Sequence, residues 1–190
     1  MPLAYDYLIP ALWLVWLAIW LVASTRTKPT VRRESLGSRL SYTLPLWIAV
    51  WLVAAPRLPW RPLNTRFAPM AEWPFVAGTI LVVAGLAFAV WARVYLGRNW
   101  SAAVTLKRDH ELIRTGPYRW VRNPIYTGII VAIAGSAVAR GRWGGLLAVL
   151  LVFGSFWYKA RLEERVMHEA FGAEYDAYRR NVASLIPFVF

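Results

Sequence analysis

A chain of 190 residues is long enough for one domain with a sizeable core, yet 58% of it is apolar and only 17% is charged, against roughly 25% charged in soluble domains. The apolar residues come in blocks, which argues for a membrane protein and against a disordered or collagen-like one. The absence of cysteine excludes disulfides, thiolate metal sites and cysteine nucleophiles, and the net charge of +12 collects at block ends rather than on a polar face, which argues against nucleic-acid binding.

Five apolar segments follow in chain order: Tyr7 to Ala23, Leu40 to Ala55, Trp73 to Leu96, Ile125 to Ala139 and Trp143 to Tyr158. A helix needs about 20 residues to cross the ~30 Å hydrocarbon core. The third segment meets this easily and the first adequately. The others span with help from their flanks, from local bilayer thinning or from protein shelter. Asp6 ahead of the first segment and Arg26, Lys28, Arg32 and Arg33 after it read as an uncleaved anchor with its N-terminus outside. Pro56 to Pro62 reads as a tight connection, while Pro45, Gly78 and Gly85 read as packing positions within spans. The tryptophans near segment ends, including Trp100, read as interfacial anchors.

With five crossings, only Arg57, Arg61, Arg66, Arg140 and Arg142 of the 22 Lys and Arg fall on one side. The positive-inside rule therefore puts the other side in the cytoplasm. Arg140-Gly-Arg-Trp-Gly-Gly is too short for anything but a helical hairpin between spans four and five. Both open ends of that hairpin lie on the cytoplasmic side and carry polar clusters, Thr115 to Tyr126 and Lys159 to Arg165. Gly116-Pro117 predicts a turn, and Asn123-Pro124 a helix start with Asn123 as cap. A capped helix with headgroup arginines accounts for much of the first cluster, but not for Tyr118 and Tyr126 on either side of it.

In the second cluster, Lys159 with Glu163 reads as an i,i+4 pair on a wet helix, or, if it faces a bundle interior, as functional. His110 and His168 with scattered acids form no metal pattern. Phe171, Tyr175, Tyr178 and Val182 form a stripe at helical spacing, placing a C-terminal amphipathic helix against the membrane or the bundle.

His110-x-Leu-Ile-x-Thr-Gly-Pro-Tyr-Arg-x-x-Arg-Asn-Pro-x-Tyr-x-Gly, the hairpin, Glu163-Glu164, Phe171-Gly-x-x-Tyr-x-x-Tyr and a closing Ile-Pro-Phe together resemble the isoprenylcysteine carboxyl methyltransferase family. The likeness extends to the wider group of integral-membrane methyltransferases that includes phospholipid methyltransferases, and covers about Trp100 to Phe190. It implies S-adenosylmethionine in a cytoplasm-facing pocket closed by the hairpin and the C-terminal helix. His110, Leu112, Ile113, Tyr118, Asn123, Pro124, Ile125 and Tyr126 would contact the cofactor, and Glu163 would hold its amino group. Lys159, standing where better-known members have Arg, would steer a substrate carboxylate, with Arg122 as a second candidate for substrate or cofactor contact. The usual Arg-His-Pro reads Arg122-Asn-Pro here, and Asn does not titrate near neutrality. Lys in place of Arg loses the bidentate fork.

The expectation is an all-α protein: one integral-membrane domain over residues 1–190, with a three-span scaffold (1–96) and a cofactor-binding core (97–190). It is read as an inner-membrane enzyme that methylates a lipophilic acceptor, most simply the carboxylate of a prenylated cysteine or similar lipid, and that binds neither metal nor nucleic acid. Two alternatives stay open: an NADPH-dependent enzyme like the membrane sterol reductases, which share a similar C-terminal pattern, and a non-enzymatic membrane accessory protein.

Overall fold

In the computed structural model, residues 2–24, 30–97, 100, 105–107, 111–187 and 189 are described. The helices are α1 (Pro2–Ser24), α2 (Leu36–Ala54), α3 (Arg61–Asn64), α4 (Glu72–Leu96), α5 (Pro124–Arg140), α6 (Trp143–Phe171) and α7 (Ala173–Asn181). One element departs from the all-α expectation: β1 (Thr30–Arg33) pairs antiparallel with β2 (Thr105–Lys107), with Arg32 opposite Leu106. Both strands are very short and mostly polar, so nothing local distinguishes them from loop. The pairing is a tertiary contact between the two connections at one end of the bundle.

Among the described residues, α1, α2, α4 and α6 contain stretches long and apolar enough to cross a membrane. α5 is apolar but has 17 residues, about 26 Å at 1.5 Å per residue. It lies antiparallel against α4 with almost no side chain between them. A Cβ on Gly78 would meet Ala139 Cβ at 2.6 Å, and one on Gly85 would meet the Ala132 nitrogen at 2.6 Å. Gly128 and Gly135 are closed off in the same way from α5. Lipid tails are as apolar as leucine, so helix association in a bilayer depends on such close packing rather than on the hydrophobic effect.

The hairpin turn forms as its sequence predicts. Gly141, at φ +67°, caps α5 in the left-handed region that glycine enters freely, and α6 starts two residues later. That turn also accepts the chain from the far connection: Phe67 N donates to the Gly141 carbonyl at 2.9 Å and Arg142 Nη1 to Pro56 O at 2.6 Å. One apolar core joins α2, α5 and α6 through Ala49, Leu52, Ile133, Ala148 and Val152. A second joins α1, α4 and α5 through Ile9, Val82, Leu86 and Ala132.

α6 runs 29 residues, about 44 Å, well past the apolar segment that ends at Tyr158. The aromatic stripe predicted as one helix is broken at Gly172, φ +52°; α7 turns back, and Tyr175 and Tyr178 are buried on the bundle.

Candidate active site

At the end of the bundle where α6 outruns its apolar stretch, a cavity of about 300 Å³ opens between α1, α4, α5, α6, α7 and the 3-10 turn Gly116–Arg119. That volume lies at the lower limit of the ~300–1,000 Å³ typical of small-molecule sites.

The turn is built as the sequence predicts: Gly116 takes φ +59°, Pro117 is fully buried and Tyr118 is 7% exposed. The Tyr118 hydroxyl donates to Ala92 O at 3.3 Å, tying the turn to α4, and Tyr178 donates to Tyr118 O at 2.5 Å, tying α7 to the turn. Burial, with Tyr178 alongside, raises the Tyr118 hydroxyl well above the ordinary phenol range, so it is a neutral donor throughout the physiological range.

Asn123 holds the N-cap position of α5, but its side chain does not cap. Its Nδ2 donates instead to the carbonyl and the hydroxyl of Ser184, both at 3.2 Å. The reason is the segment after α7, which runs parallel to residues 121–123. Arg122 N donates to Ala183 O at 2.8 Å, Asn123 N to Ser184 O at 3.0 Å and Thr127 Oγ1 to Leu185 O at 2.6 Å. This strap holds the cap side chain in a different role from the one its spacing suggested.

The acidic pair divides. Glu163 faces the cavity and accepts from the Tyr126 hydroxyl at 2.8 Å on each oxygen. Tyr126 stacks on Phe156 with centroids 4.5 Å apart. Glu164, one residue on, is buried against the strap: Arg122 Nη2 donates at 2.7 Å, Arg122 Nε at 3.3 Å and Ser184 Oγ at 3.0 Å.

Lys159 corrects the wet-helix reading: it is 6% exposed, and its Nζ lies 3.9 Å from Glu163 Oε1. The ammonium sits over the rings of Tyr42 and Tyr126, at 5.1 and 5.3 Å from their centroids. Its burial comes from α2 and α5, which pack on α6 across the helical register and leave no trace in the local sequence.

Of the residues singled out from the sequence, Leu112, Ile113, Tyr118, Arg122, Asn123, Pro124, Ile125, Tyr126, Lys159 and Glu163 all line the cavity. His110 lies outside the described residues. Arg122 lines it with its guanidinium turned to Glu164 and to the carbonyls of Arg179 and Val182. Three tryptophans join the site without a motif that announces them. Trp16 and Trp20 of α1 stack at 4.7 Å, Trp20 meets Trp100 edge to face at 5.4 Å, and all three line the cavity. Their one detectable signal was the four-residue spacing of Trp16 and Trp20, which puts both on one helix face.

A carboxylate, an ammonium and aromatic faces thus converge at one end of a hairpin in a helical membrane bundle. The same fold is found in the solved structure of a eukaryotic intramembrane Ras methyltransferase, an isoprenylcysteine carboxyl methyltransferase. The TM-score is 0.54 at 21% identity, over 84% of this chain and 55% of that one. The chain belongs to the phospholipid methyltransferase family, whose profile matches residues 73–174, more than half of its length.

Among curated relatives, the protein-S-isoprenylcysteine O-methyltransferase of Saccharomyces cerevisiae is 32% identical over 60% of this chain and 49% of its own. A probable protein-S-isoprenylcysteine O-methyltransferase of Oryza sativa subsp. indica is 30% identical over 65% of this chain and 67% of its own. The chain thus spans about half the length of the yeast relative.

Proposed function

We propose that this protein is an S-adenosylmethionine-dependent methyltransferase that esterifies the carboxylate of a lipophilic acceptor, a prenylated cysteine or a similar lipid, at the cytoplasmic face of the inner membrane. The observation that carries the reading is the buried Lys159 ammonium in the cavity wall beside Glu163. A fixed cation there attracts an anionic acceptor and disfavours an amine headgroup whose methylation accumulates positive charge. The relatives named as O-methyltransferases favour an oxygen acceptor over a phospholipid amine.

The residues present suit the cofactor. The Glu163 carboxylate, oriented by Tyr126, fits an amino-acid ammonium, and the faces of Trp16, Trp20, Trp100 and Tyr126 suit a flat base and a sulfonium. When bound, S-adenosylmethionine supplies an electrophilic methyl group. A carboxylate acceptor is ionised at neutral pH, so no general base is required, and catalysis rests on positioning. Lys159 holds the carboxylate in line, and the neutral ester that results loses that attraction and can leave. Arg122, through Glu164 and the strap, holds the turn in place without touching the acceptor. Residues 97–190 would form the cofactor-binding core, with α1 and α2 completing its walls.

The same reading makes α5 a fifth crossing. Its glycine seam runs beside α4, and its two ends meet the same two connections as those of α4.

The test is methyl transfer in membranes containing the protein, using labelled donor and a panel of prenylcysteine, fatty-acid and phosphatidylethanolamine acceptors. Label is expected in base-labile ester on the carboxylate acceptors. Label in phospholipid amine instead would overturn the acceptor assignment. Calorimetry is expected to detect S-adenosylmethionine binding weakened at least ~10-fold by Glu163→Gln, since a hydrogen bond to a charged group contributes about 1.5–3 kcal/mol. Binding of NADPH in its place would overturn the methyltransferase reading.

A further inference from the structure

Behind the cavity-lining Lys159 stand Tyr42 of α2 and Glu34 of the segment before it. Glu34 precedes the α2 cap Ser35 and accepts from Ser38 Oγ at 2.9 Å on one oxygen and from the Tyr42 hydroxyl, in a short hydrogen bond, on the other. Tyr42 is 2% exposed, its ring enclosed by the surrounding protein. The Lys159 ammonium lies over the face of that ring at 5.1 Å, and over the Tyr126 ring at 5.3 Å. Lysine carries a flexible four-carbon stem and makes no fork that would fix it by itself. The ammonium lies over both ring faces and pairs with Glu163 Oε1 at 3.9 Å, a distance longer than a hydrogen bond. The Tyr42 hydroxyl donates to a carboxylate, which enriches its ring in electron density and strengthens the face it offers a cation.

We propose that Tyr42, anchored by Glu34, is a positioning residue that holds the Lys159 ammonium at ion-pair rather than hydrogen-bond distance from Glu163, where it can meet the acceptor carboxylate. The N-terminal half of the chain thereby sets acceptor affinity. The inference rests on the carboxyl methyltransferase reading above. It assigns acceptor recognition and cofactor recognition to separate supports: Tyr42 with Glu34 behind Lys159, and Tyr126 behind Glu163.

The experiment uses the full chain in lipid nanodiscs, with S-adenosylmethionine and an N-acylated farnesylcysteine as acceptor, and reads kcat, acceptor KM and cofactor Kd separately. Tyr42→Phe keeps the ring and removes the anchor; Glu34→Gln keeps the anchor's shape and removes its charge. Each is expected to raise acceptor KM on the order of tenfold, with kcat and cofactor Kd within about twofold, as expected for loss of a charge-assisted hydrogen bond acting only on acceptor binding. The double variant is expected to be no worse than the poorer single one, because both act through one contact. Tyr42→Leu, which removes the ring face as well, is expected to exceed both.

An unchanged KM in Tyr42→Phe overturns the assignment, and so does a cofactor Kd that moves as far as the acceptor KM, the mark of general damage to the cavity. Absence of carboxylate methylation by the wild-type chain is a different result: it overturns the functional reading itself, and the Tyr42 assignment with it.

Discussion

Arg122 donates through Nε and Nη2 to one oxygen of Glu164 and through Nη1 to the carbonyls of Arg179 and Val182. Three groups are satisfied at once by the planar guanidinium fork, a geometry that an ammonium does not reproduce. Both partners of the ion pair are buried, with side chains 9% and 7% exposed. Such a pair adds little over an apolar replacement, but removal of one member strands the other. Arg122→Gln is therefore expected to cost about 3–5 kcal/mol, read as a lowered midpoint of thermal unfolding in detergent, with Arg122→Lys recovering only a minor part. Unfolding at the wild-type temperature would mean that Glu164 finds other partners and that the strap does not depend on Arg122.

The residue scale also shows what sequence reading could reach. Glu163, Tyr118, Tyr126 and Asn123 were accessible because they form an ordered motif pattern. The partners of Lys159 were not, because Tyr42 and Glu34 lie more than a hundred residues away and have no motif of their own. The local run Lys-Ala-Arg-Leu-Glu-Glu-Arg looks solvated, and the packing of α2 and α5 on α6 makes its first residue a buried one.

At the scale of elements, the α4–α5 seam decides whether the hairpin stands beside α4 at all. Gly78 and Gly85 could be read as packing positions from one helix. Their counterparts Gly128 and Gly135 could be identified only once the antiparallel register was known. A side chain at Gly128 would meet Ala89 N at 2.8 Å and Ala89 Cβ at 2.9 Å, and both are parts of helix α4 that cannot rotate away. Gly128→Leu must therefore push the two helices apart, losing the close packing that holds them in the bilayer. Because Tyr126 is two residues before Gly128, the same displacement moves the partner of Glu163. The expected outcome is a poorly folded protein that elutes as aggregate in size-exclusion chromatography and does not bind cofactor. Gly154→Ala on α6, where a Cβ meets nothing within 4 Å, is expected to elute and bind as the wild type does. Equal behaviour of the two variants would show that the seam does not carry the packing.

Across the whole molecule, the arginines on which the orientation reading rests also finish the helices. Helix C-termini leave carbonyls without intrahelical donors, a heavier cost near hydrocarbon than in water. Arg93 supplies donors to Ala23 O at the end of α1 and to Gly97 O at the end of α4, at 2.5 and 2.6 Å, and lies 4.6 Å over Trp100. Arg140 donates to Val53 and Ala54 at the end of α2. Arg93 acts at the end assigned to the cytoplasm and Arg140 at the opposite one, so the charge asymmetry and the capping are separate constraints on the same residues. Moving an arginine to alter orientation would also uncap a helix, and orientation is better read by a probe that leaves every arginine in place.

The absence of cysteine makes that probe direct. Met70, 88% exposed in the connection before α4, and Ala170, exposed near the end of α6, lie at opposite ends of the bundle. With five crossings and the N-terminus outside, Met70→Cys is expected to react with a membrane-impermeant maleimide in intact cells, and Ala170→Cys only after the membrane is opened. The reverse pattern would invert the protein and place the cavity outside. Labelling of both positions from outside would mean that the chain crosses an even number of times between them, and since α4, α5 and α6 lie between the two positions, α5 would then not be a span.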